Sequence, residues 1–361
     1  MHHHLNLRTW DAVHRWTSLA CTLFLLLLCL TGLPLIFGQE IDALTQPPIH
    51  ADTLVDHPPL ANLDRVIETA LSVHPAMHPL FASHEPHESR VWYVTLASSA
   101  GEQLTRVAVD ARTSAIIGRV AIGHAGIMGV IRSLHVDLFA GPKGKLFLGF
   151  IGALFLASLV SGVMLYAPFM RKREFGAVRR SGSARSRWLD LHNLLGIATL
   201  FWAGVVGVTG VMNTCSDLLV AHWRSAVLSQ AKLTAATPGG GVVSAQTALS
   251  SALALMHDRK VAFVAFPGSS FAAESLYGIY SRGDTPVTSR LVRPILVNAH
   301  TAKVVSAQRL PWYLTLLLIS EPLHFGDYGG MPLKLLWAAL DLIAIVILGS
   351  GVYLFAARKR V

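Results

Sequence analysis

Residues 323 to 355, LHFGDYGGMPLKLLWAALDLIAIVILGSGVYLF, read as a histidine-bearing lead-in to a membrane span, and the chain contains a second version at 134 to 166, LHVDLFAGPKGKLFLGFIGALFLASLVSGVMLY. In both, a lysine follows the histidine by ten residues (His135 to Lys145, His324 to Lys334), and a Ser-Gly pair closes the apolar run (Ser161-Gly162, Ser350-Gly351). Another repeat pairs WDAVHRW at 10 to 16 with WLDLHNL at 188 to 194. Its matched positions are Trp10, His14, Thr31 and Gly32 against Trp188, His192, Thr209 and Gly210. Self-similarity at fixed spacing marks duplicated architecture. The expected frame is therefore two halves of like topology, each with two spans and a matched pair of histidines.

Composition agrees with a membrane protein: of 361 residues, 52% are hydrophobic and only 14% charged. A helix needs about 20 apolar residues to cross the roughly 30 Å hydrocarbon core. Runs at about 16–37, 146–168, 194–213 and 333–357 meet that length. The formal charge of +9 does not point to nucleic acid, because the basic residues cluster where membrane topology puts them: Arg171, Lys172, Arg173, Arg179, Arg180, Arg185 and Arg187 in one loop, and Arg358-Lys359-Arg360 in the tail. By the positive-inside rule both segments are cytoplasmic, so both termini lie inside and the long loops outside. The first span lacks a small-residue cleavage site and reads as a retained helix. His2 to His4 receive no role. Cys21, Cys29 and Cys215 cannot build a disulfide framework and read as small apolar packing residues. Without Cys-x-x-Cys-His, covalent haem attachment is excluded.

The expected fold class is a mainly α membrane protein with four transmembrane helices in two parallel repeats and two small α+β outer units. Its divisions are 1–37 (N-terminus and first span), 38–142 (outer unit one, with a re-entrant piece), 143–168 (second span), 169–193 (basic loop), 194–213 (third span), 214–332 (outer unit two, with a re-entrant piece) and 333–361 (fourth span and tail). In the first unit a helix at 63–75 precedes strands at 89–97 and 102–110, split by a Ser-Ala-Gly turn, and a short AIIGRV strand. In the second, a helix at 244–257 precedes strands at 260–266, 275–281 and 293–305. VAVDARTSAIIG at 107–118 matches ILVNAHTAKVVS at 295–306. PGGG at 238–241 reads as a linker. The apolar pieces 124–139 and 311–325 are too short to span and suit an interfacial or re-entrant position.

LHFGDYGGMPLKLLWAALDL, LHVDLFAGPKGK and WLDLHNLLG resemble the signatures of the PepSY-associated transmembrane proteins, a bacterial inner-membrane family that includes ferrisiderophore reductases of the FoxB type. The resemblance covers nearly the whole chain and implies two PepSY-like periplasmic units, b-type haems and reduction of ferric siderophores outside the membrane.

Histidine at the edge of a span is a functional hypothesis, and the symmetric pairing strengthens it. His14 and His192 fall at the cytoplasmic ends of their spans, His135 and His324 at the outer ends. Pairing across the pseudo-twofold gives two bis-histidine sites, and haem iron commonly takes axial histidine. The expectation is two haem b groups with these four as iron ligands, against simple packing or another metal. Gly149, Gly152, Gly196, Gly204 and Gly207 are expected to leave room for the macrocycle. His124, eleven residues before His135, is an alternative outer ligand. His74, His78, His84 and His87 read as a solvated loop broken by Pro75, Pro79 and Pro86 rather than a metal site. Asp341, inside the last span, either faces a polar partner such as Asn193, Thr209 or a haem propionate or lies near the outer leaflet, nine residues after Pro332.

No nucleotide fingerprint opens a helix in a cytoplasmic segment, so the expected electron donor is quinol or a separate reductase. The expected activity is transfer of electrons across the bilayer to a periplasmic ferric siderophore, which releases ferrous iron because hard oxygen donors hold the ferric ion more tightly. Trp312, Tyr313, Tyr328, Arg290 and Arg293 are candidates to meet the chelate. The alternative is a non-enzymatic, membrane-anchored PepSY protein that binds a ligand or modulates a partner. On the expected topology, a cysteine engineered at Ser183 in a cysteine-free background reacts with an impermeant thiol reagent only after cells are permeabilised. Labelling in intact cells overturns that orientation.

Overall fold

The computed structural model describes residues 2–45, 60–85, 88–98, 103–120, 126–170, 178–179, 182–234, 241–256, 259–285 and 288–358. Several sequence features lie outside the described residues: Pro47-Pro48, Pro58-Pro59, the Ser-Ala-Gly turn, His87, His124, most of the PGGG linker, Arg171 to Arg173, Arg180 and Lys359-Arg360. The chain divides into two units, residues 1–42, 126–217 and 320–361 forming one, and 43–125 and 218–319 the other.

The first unit is helical. Four stretches, Leu7–Ile36, Gly141–Pro168, Ala184–Thr214 and Asp327–Ala357, are long and apolar enough to cross a membrane. They belong to helices α1 (His2–Ile36), α5 (Gly141–Met170), α6 (Ala184–Thr214) and α10 (Gly330–Arg358). Helices that are apolar nearly all round suit lipid, where the backbone must satisfy its own hydrogen bonds. Pro34 and Pro168 fall in the last turns of α1 and α5, so the hydrogen bond each removes is lost at the helix end and not in its middle. α1 packs against α5 and α10, and α6 packs against the same two helices. Short helices α2 (Gly38–Thr45) and α4 (Gly126–Val136) complete this unit with the end of α9 (Trp312–Phe325).

The third helix begins well before the expected 194. Ser183 caps it by accepting the Ser186 N–H at 3.2 Å, and the Arg179 guanidinium holds Asp190 through two hydrogen bonds of 2.8 and 2.9 Å, with its backbone N–H adding a third at 3.0 Å. Trp188 and His192 therefore sit inside a continuous helix. The polar lead-in conceals this start from a hydropathy reading, but the N-cap serine is its local signal.

The second unit is built on one eight-stranded sheet in the order β4-β3-β2-β1-β5-β6-β7-β8. The strands are β1 (Met77–Glu85), β2 (Glu88–Ser98), β3 (Leu104–Asp110), β4 (Ile116–Val120), β5 (Lys260–Ala265), β6 (Leu276–Arg282), β7 (Arg293–Asn298) and β8 (Val304–Ser306). Every neighbouring pair is antiparallel, including β1 with β5, where Ala82 opposes Val264. The two expected α+β pieces thus share a single sheet. The order is symmetric about the β1–β5 pair, and each half ends in the same turn. Asp110 Oδ1 accepts the N–H groups of Arg112 and Thr113, as Asn298 Oδ1 accepts those of His300 and Thr301. That turn splits the single expected strand at 293–305 into β7 and β8.

Residues read as a histidine-bearing loop instead form β1. Prolines that forbid a helix do not forbid an extended edge or bulge, and the register shifts between Pro79 and Phe81. Over one face lie α3 (Leu63–Ser72) and α8 (Ala245–Leu253), whose first turns interlock: Leu63 N–H donates to Gln246 Oε1 at 2.8 Å, and Gln246 N–H to Asp64 Oδ1 at 3.1 Å. Leu63, Val66, Ala70, Ala248 and Ala252 meet Val94, Leu96, Val107, Val264, Ile279 and Val297 in one core. Against Phe81, Phe263, Phe271 and Tyr280 pack Leu314 and Leu317 of α9 and helix α7 (Ser216–Thr234). The sequence reading does not include α7, although Leu219, Val220, Trp223 and Val227 recur at helical spacing.

Opposed Cα atoms in an antiparallel ladder lie about 4.5 to 5.5 Å apart, within disulfide range. In a cysteine-free background, Ala82→Cys with Val264→Cys should cross-link under mild oxidation and shift mobility on a non-reducing gel, while Ala82→Cys with Val261→Cys should not.

Candidate functional site

Each of the four repeated histidines rests on a neighbouring helix at one of the repeated hydroxyl-glycine pairs. His135, in the last turn of α4, meets Thr31 of α1 at 2.9 Å from its Nδ1. His324, in the last turn of α9, meets Thr209 of α6 at 3.1 Å and the Val206 carbonyl at 3.1 Å. His192 of α6 meets Ser350 of α10 at 2.8 Å. His14 of α1 meets the Ser158 carbonyl of α5 at 2.9 Å, with Ser161 at 3.3 Å.

The hydroxyl protons are already committed. Thr31 donates to the Leu27 carbonyl at 2.7 Å, Thr209 to Val205 at 2.6 Å, Ser350 to Ile347 at 2.7 Å and Ser161 to Ala157 at 2.7 Å. Each hydroxyl can therefore only accept from the imidazole, so the proton in every ring belongs on Nδ1. Nε2 is left with its lone pair, and among the described residues it takes no hydrogen bond in any of the four. This is the arrangement of a metal-binding histidine whose other nitrogen is fixed by an outer partner.

The glycines set the depth of each ring. A Cβ added at Gly32 would stand 3.1 Å from His135 Cε1, and one at Gly210 would stand 3.1 Å from His324 Cε1. At Gly162 the distance to His14 is 3.2 Å, and at Gly351 to His192 it is 3.6 Å. The sequence reading uses these pairs as markers of repetition. Their role as histidine seats appears only when neighbouring helices are placed.

His135 and His324 face each other with ring centroids 6.4 Å apart. Burial pushes the pKa of His135 down to about 3, reinforced by His324, and burial likewise lowers that of His324, so the surroundings favour the neutral imidazole. His14 and His192 lie within electrostatic reach of one another. The structure brings together the pairs expected from the repeat, while His124 lies outside the described residues.

Other expectations change. Added Cβ atoms at Gly149, Gly152 and Gly207 would stand 2.5 Å from Thr214, 2.7 Å from Val211 and 2.9 Å from Leu156. These glycines bring α5 and α6 together instead of leaving space for a macrocycle, whereas Gly196 and Gly204 do face open space. Asp341 meets neither Asn193 nor Thr209 but the Cys29 thiol. Arg293 donates to the Ala307 carbonyl at 3.0 Å. His84 lies against Trp92 with ring centroids 3.7 Å apart and donates to the Val91 carbonyl, and burial lowers its pKa to about 4. Among the described residues no group of three or more His, Cys, Asp or Glu side chains gathers as a metal site.

The repeated lysines are also held. Lys145 pairs with Asp217 at 2.5 Å, and buried Lys334 pairs with Glu40 at 2.8 Å and approaches Asp327 at 3.6 Å. Burial opposes the Glu40 carboxylate, but the hydrogen bond and charge of Lys334 outweigh it and hold its pKa below the ordinary value.

These features define a multi-pass membrane protein with paired, half-buried histidines among its helices. The PepSY-associated TM region family model matches residues 12–358, and the chain belongs to that family. It is also 26% identical over 254 residues to uncharacterized protein PA4219 of Pseudomonas aeruginosa, a match covering 64% of this chain and 63% of that protein. The match thus spans less than two thirds of the relative's length.

Gly32→Val or Gly210→Val forces side-chain atoms into a histidine ring and should cost about 1 to 3 kcal/mol. Gly204→Ala meets open space and should be neutral or gain up to about 1 kcal/mol from helix propensity. Thermal unfolding in detergent checks both.

Proposed function

We propose that this protein is a two-haem inner-membrane reductase of the FoxB type, with both termini cytoplasmic, that passes electrons across the bilayer to a periplasmic ferric siderophore. The observation carrying this reading is the set of four histidines arranged as two pairs, each with Nδ1 bonded and with Nε2 free of hydrogen bonds among the described residues. A geometric test supports it. Two metal–imidazole bonds of about 2 Å, with about 1 Å from nitrogen to ring centre on each side, put axial imidazole centroids about 6 Å apart. The His135–His324 separation of 6.4 Å fits this value.

His135 and His324 would hold one haem b, and His14 and His192 the other. When bound, the haems would supply one-electron redox chemistry, and these four histidines would hold their iron. Thr31, Thr209, Ser350 and the Ser158 carbonyl orient the rings. Gly32, Gly210, Gly162 and Gly351 let them lie close to the helices. The apolar faces of α1, α5, α6 and α10 exclude water. A duplicated architecture, one histidine of each half in each leaflet, is part of the proposal, supported by the matching seats. The donor is quinol or a separate reductase. The sheet unit is the proposed periplasmic PepSY-like part, and its contacts with the chelate belong to the same reading.

Purified protein should show a reducible b-type haem spectrum, and His192→Ala should lose about half of the haem. Full haem in single alanine variants at all four positions overturns the ligand set. Protein reduced anaerobically should be reoxidised by a ferric hydroxamate, catecholate or citrate complex while a ferrous trap reports released iron. Failure with all three classes overturns the reductase reading in favour of a binding or partner-modulating role.

A further inference from the structure

The two halves of the helical bundle differ at one buried position. The 189-residue offset that relates His135 to His324 brings Asp341 onto Gly152, and the 178-residue offset that relates His14 to His192 brings Cys29 onto Gly207. Where α5 crosses α6, Gly152 and Gly207 allow close packing against Val211, Leu156 and Phe155. Where α1 crosses α10, the same positions hold a thiol and a carboxyl in contact. Since glycine and apolar neighbours build the equivalent crossing, packing does not require an acid there.

Asp341 is only 7% exposed, and its Oδ2 has no hydrogen-bond partner among the described residues. A carboxylate at a helix centre costs about 2.5 to 3.5 kcal/mol on insertion scales. Among the described residues of the long helices packed against α10 no cation offsets that cost: α1 presents the Cys29 thiol, and α6 carries no titratable side chain from 194 to 214. On α10 itself, Lys334 is committed to Glu40 and Asp327. Asp341 lies seven residues from Lys334 and nine from Ser350, the partner of His192, hence about 10 and 13 Å along the axis. On α1 its contact, Cys29, lies two residues before Thr31, the partner of His135, hence about 3 Å along that axis.

We propose that Asp341 is a proton-binding site linked to electron occupancy: it takes a proton from water when a histidine-held centre is reduced and releases it on oxidation. The proposal rests on the haem reading above. The electron comes from the external reductant and the proton from solvent, with the O–H bond forming on the Asp341 carboxyl and no bond within the chain breaking. At an effective dielectric of about 20, one added electron about 13 Å away changes a carboxyl's proton affinity roughly tenfold.

The test is potentiometric titration of the purified, haem-loaded protein across pH, with infrared difference spectra between the reduced and oxidised states. The midpoint of at least one haem should fall by about 59 mV in total as pH rises through the carboxyl's titration, the one-electron equivalent of a tenfold change. Reduction should raise a protonated-carboxyl band. Asp341→Asn, with full haem content, should lose the band and flatten that step, and Asp341→Glu should restore both. Haem present with no step or band, or a step and band unchanged in Asp341→Asn, overturns the proton site and leaves the haem reading intact. Absence of haem from the wild type overturns the underlying reading first. If Asp341→Asn loses haem, Cys29→Ala supplies the second measurement: the step should persist but move to a different pH, and an unmoved step overturns the proposal.

Discussion

A polar group within hydrocarbon must find its partner inside the protein, and this constraint governs the helical unit. An imidazole buried without a hydrogen bond costs several kcal/mol in an apolar medium. Each repeated histidine avoids that cost in the same way, by reaching across to a neighbouring helix where a hydroxyl or carbonyl accepts from Nδ1. The accepting hydroxyls are themselves tied to carbonyls one turn earlier, so their orientation is not free. A glycine beside each hydroxyl removes the side chain that would hold the ring away. The crossings that seat the histidines therefore also hold the bundle together.

The sheet unit follows a different logic. Its strands carry fully buried valine, isoleucine and leucine at their centres, and α3 and α8 cover one face jointly through interlocked first turns. The β1–β5 pairing joins the sheet segments on either side of α5 and α6 into one eight-stranded surface. A four-stranded half would expose the long edge of its first strand, which is a liability in water. Pairing the two first strands removes both edges at once.

Much of this was open to reading in the chain. Apolar length locates the four spans, and the spacing of His14, His135, His192 and His324 singles them out before any helix is placed. Thr31-Gly32, Ser161-Gly162, Thr209-Gly210 and Ser350-Gly351 stand out as repeats, but their purpose is a contact between residues more than a hundred positions apart in the chain. Local periodicity carries no information about such a contact. Strand β1 escapes because Pro79 reads as a loop signal, although a bulge accommodates it. The start of α6 escapes because Trp188 and Asp190 dilute the apolar run.

The choice of partner for the histidines bears on chemistry as well as packing. Soluble metal sites often pair the outer nitrogen of a histidine with a carboxylate, which makes the ring a stronger donor. Four carboxylates in these positions would each carry the insertion cost of a charge in lipid and would favour the more oxidised metal. Hydroxyls and carbonyls fix the same tautomer without adding charge. On the proposed haem reading, neutral partners leave the reduced state more accessible than carboxylates would, as suits centres that must accept an electron before passing it on. The chain instead sets its one mid-span carboxyl, Asp341, against a thiol. There it can answer a change in charge without serving as a partner to any of the four histidines.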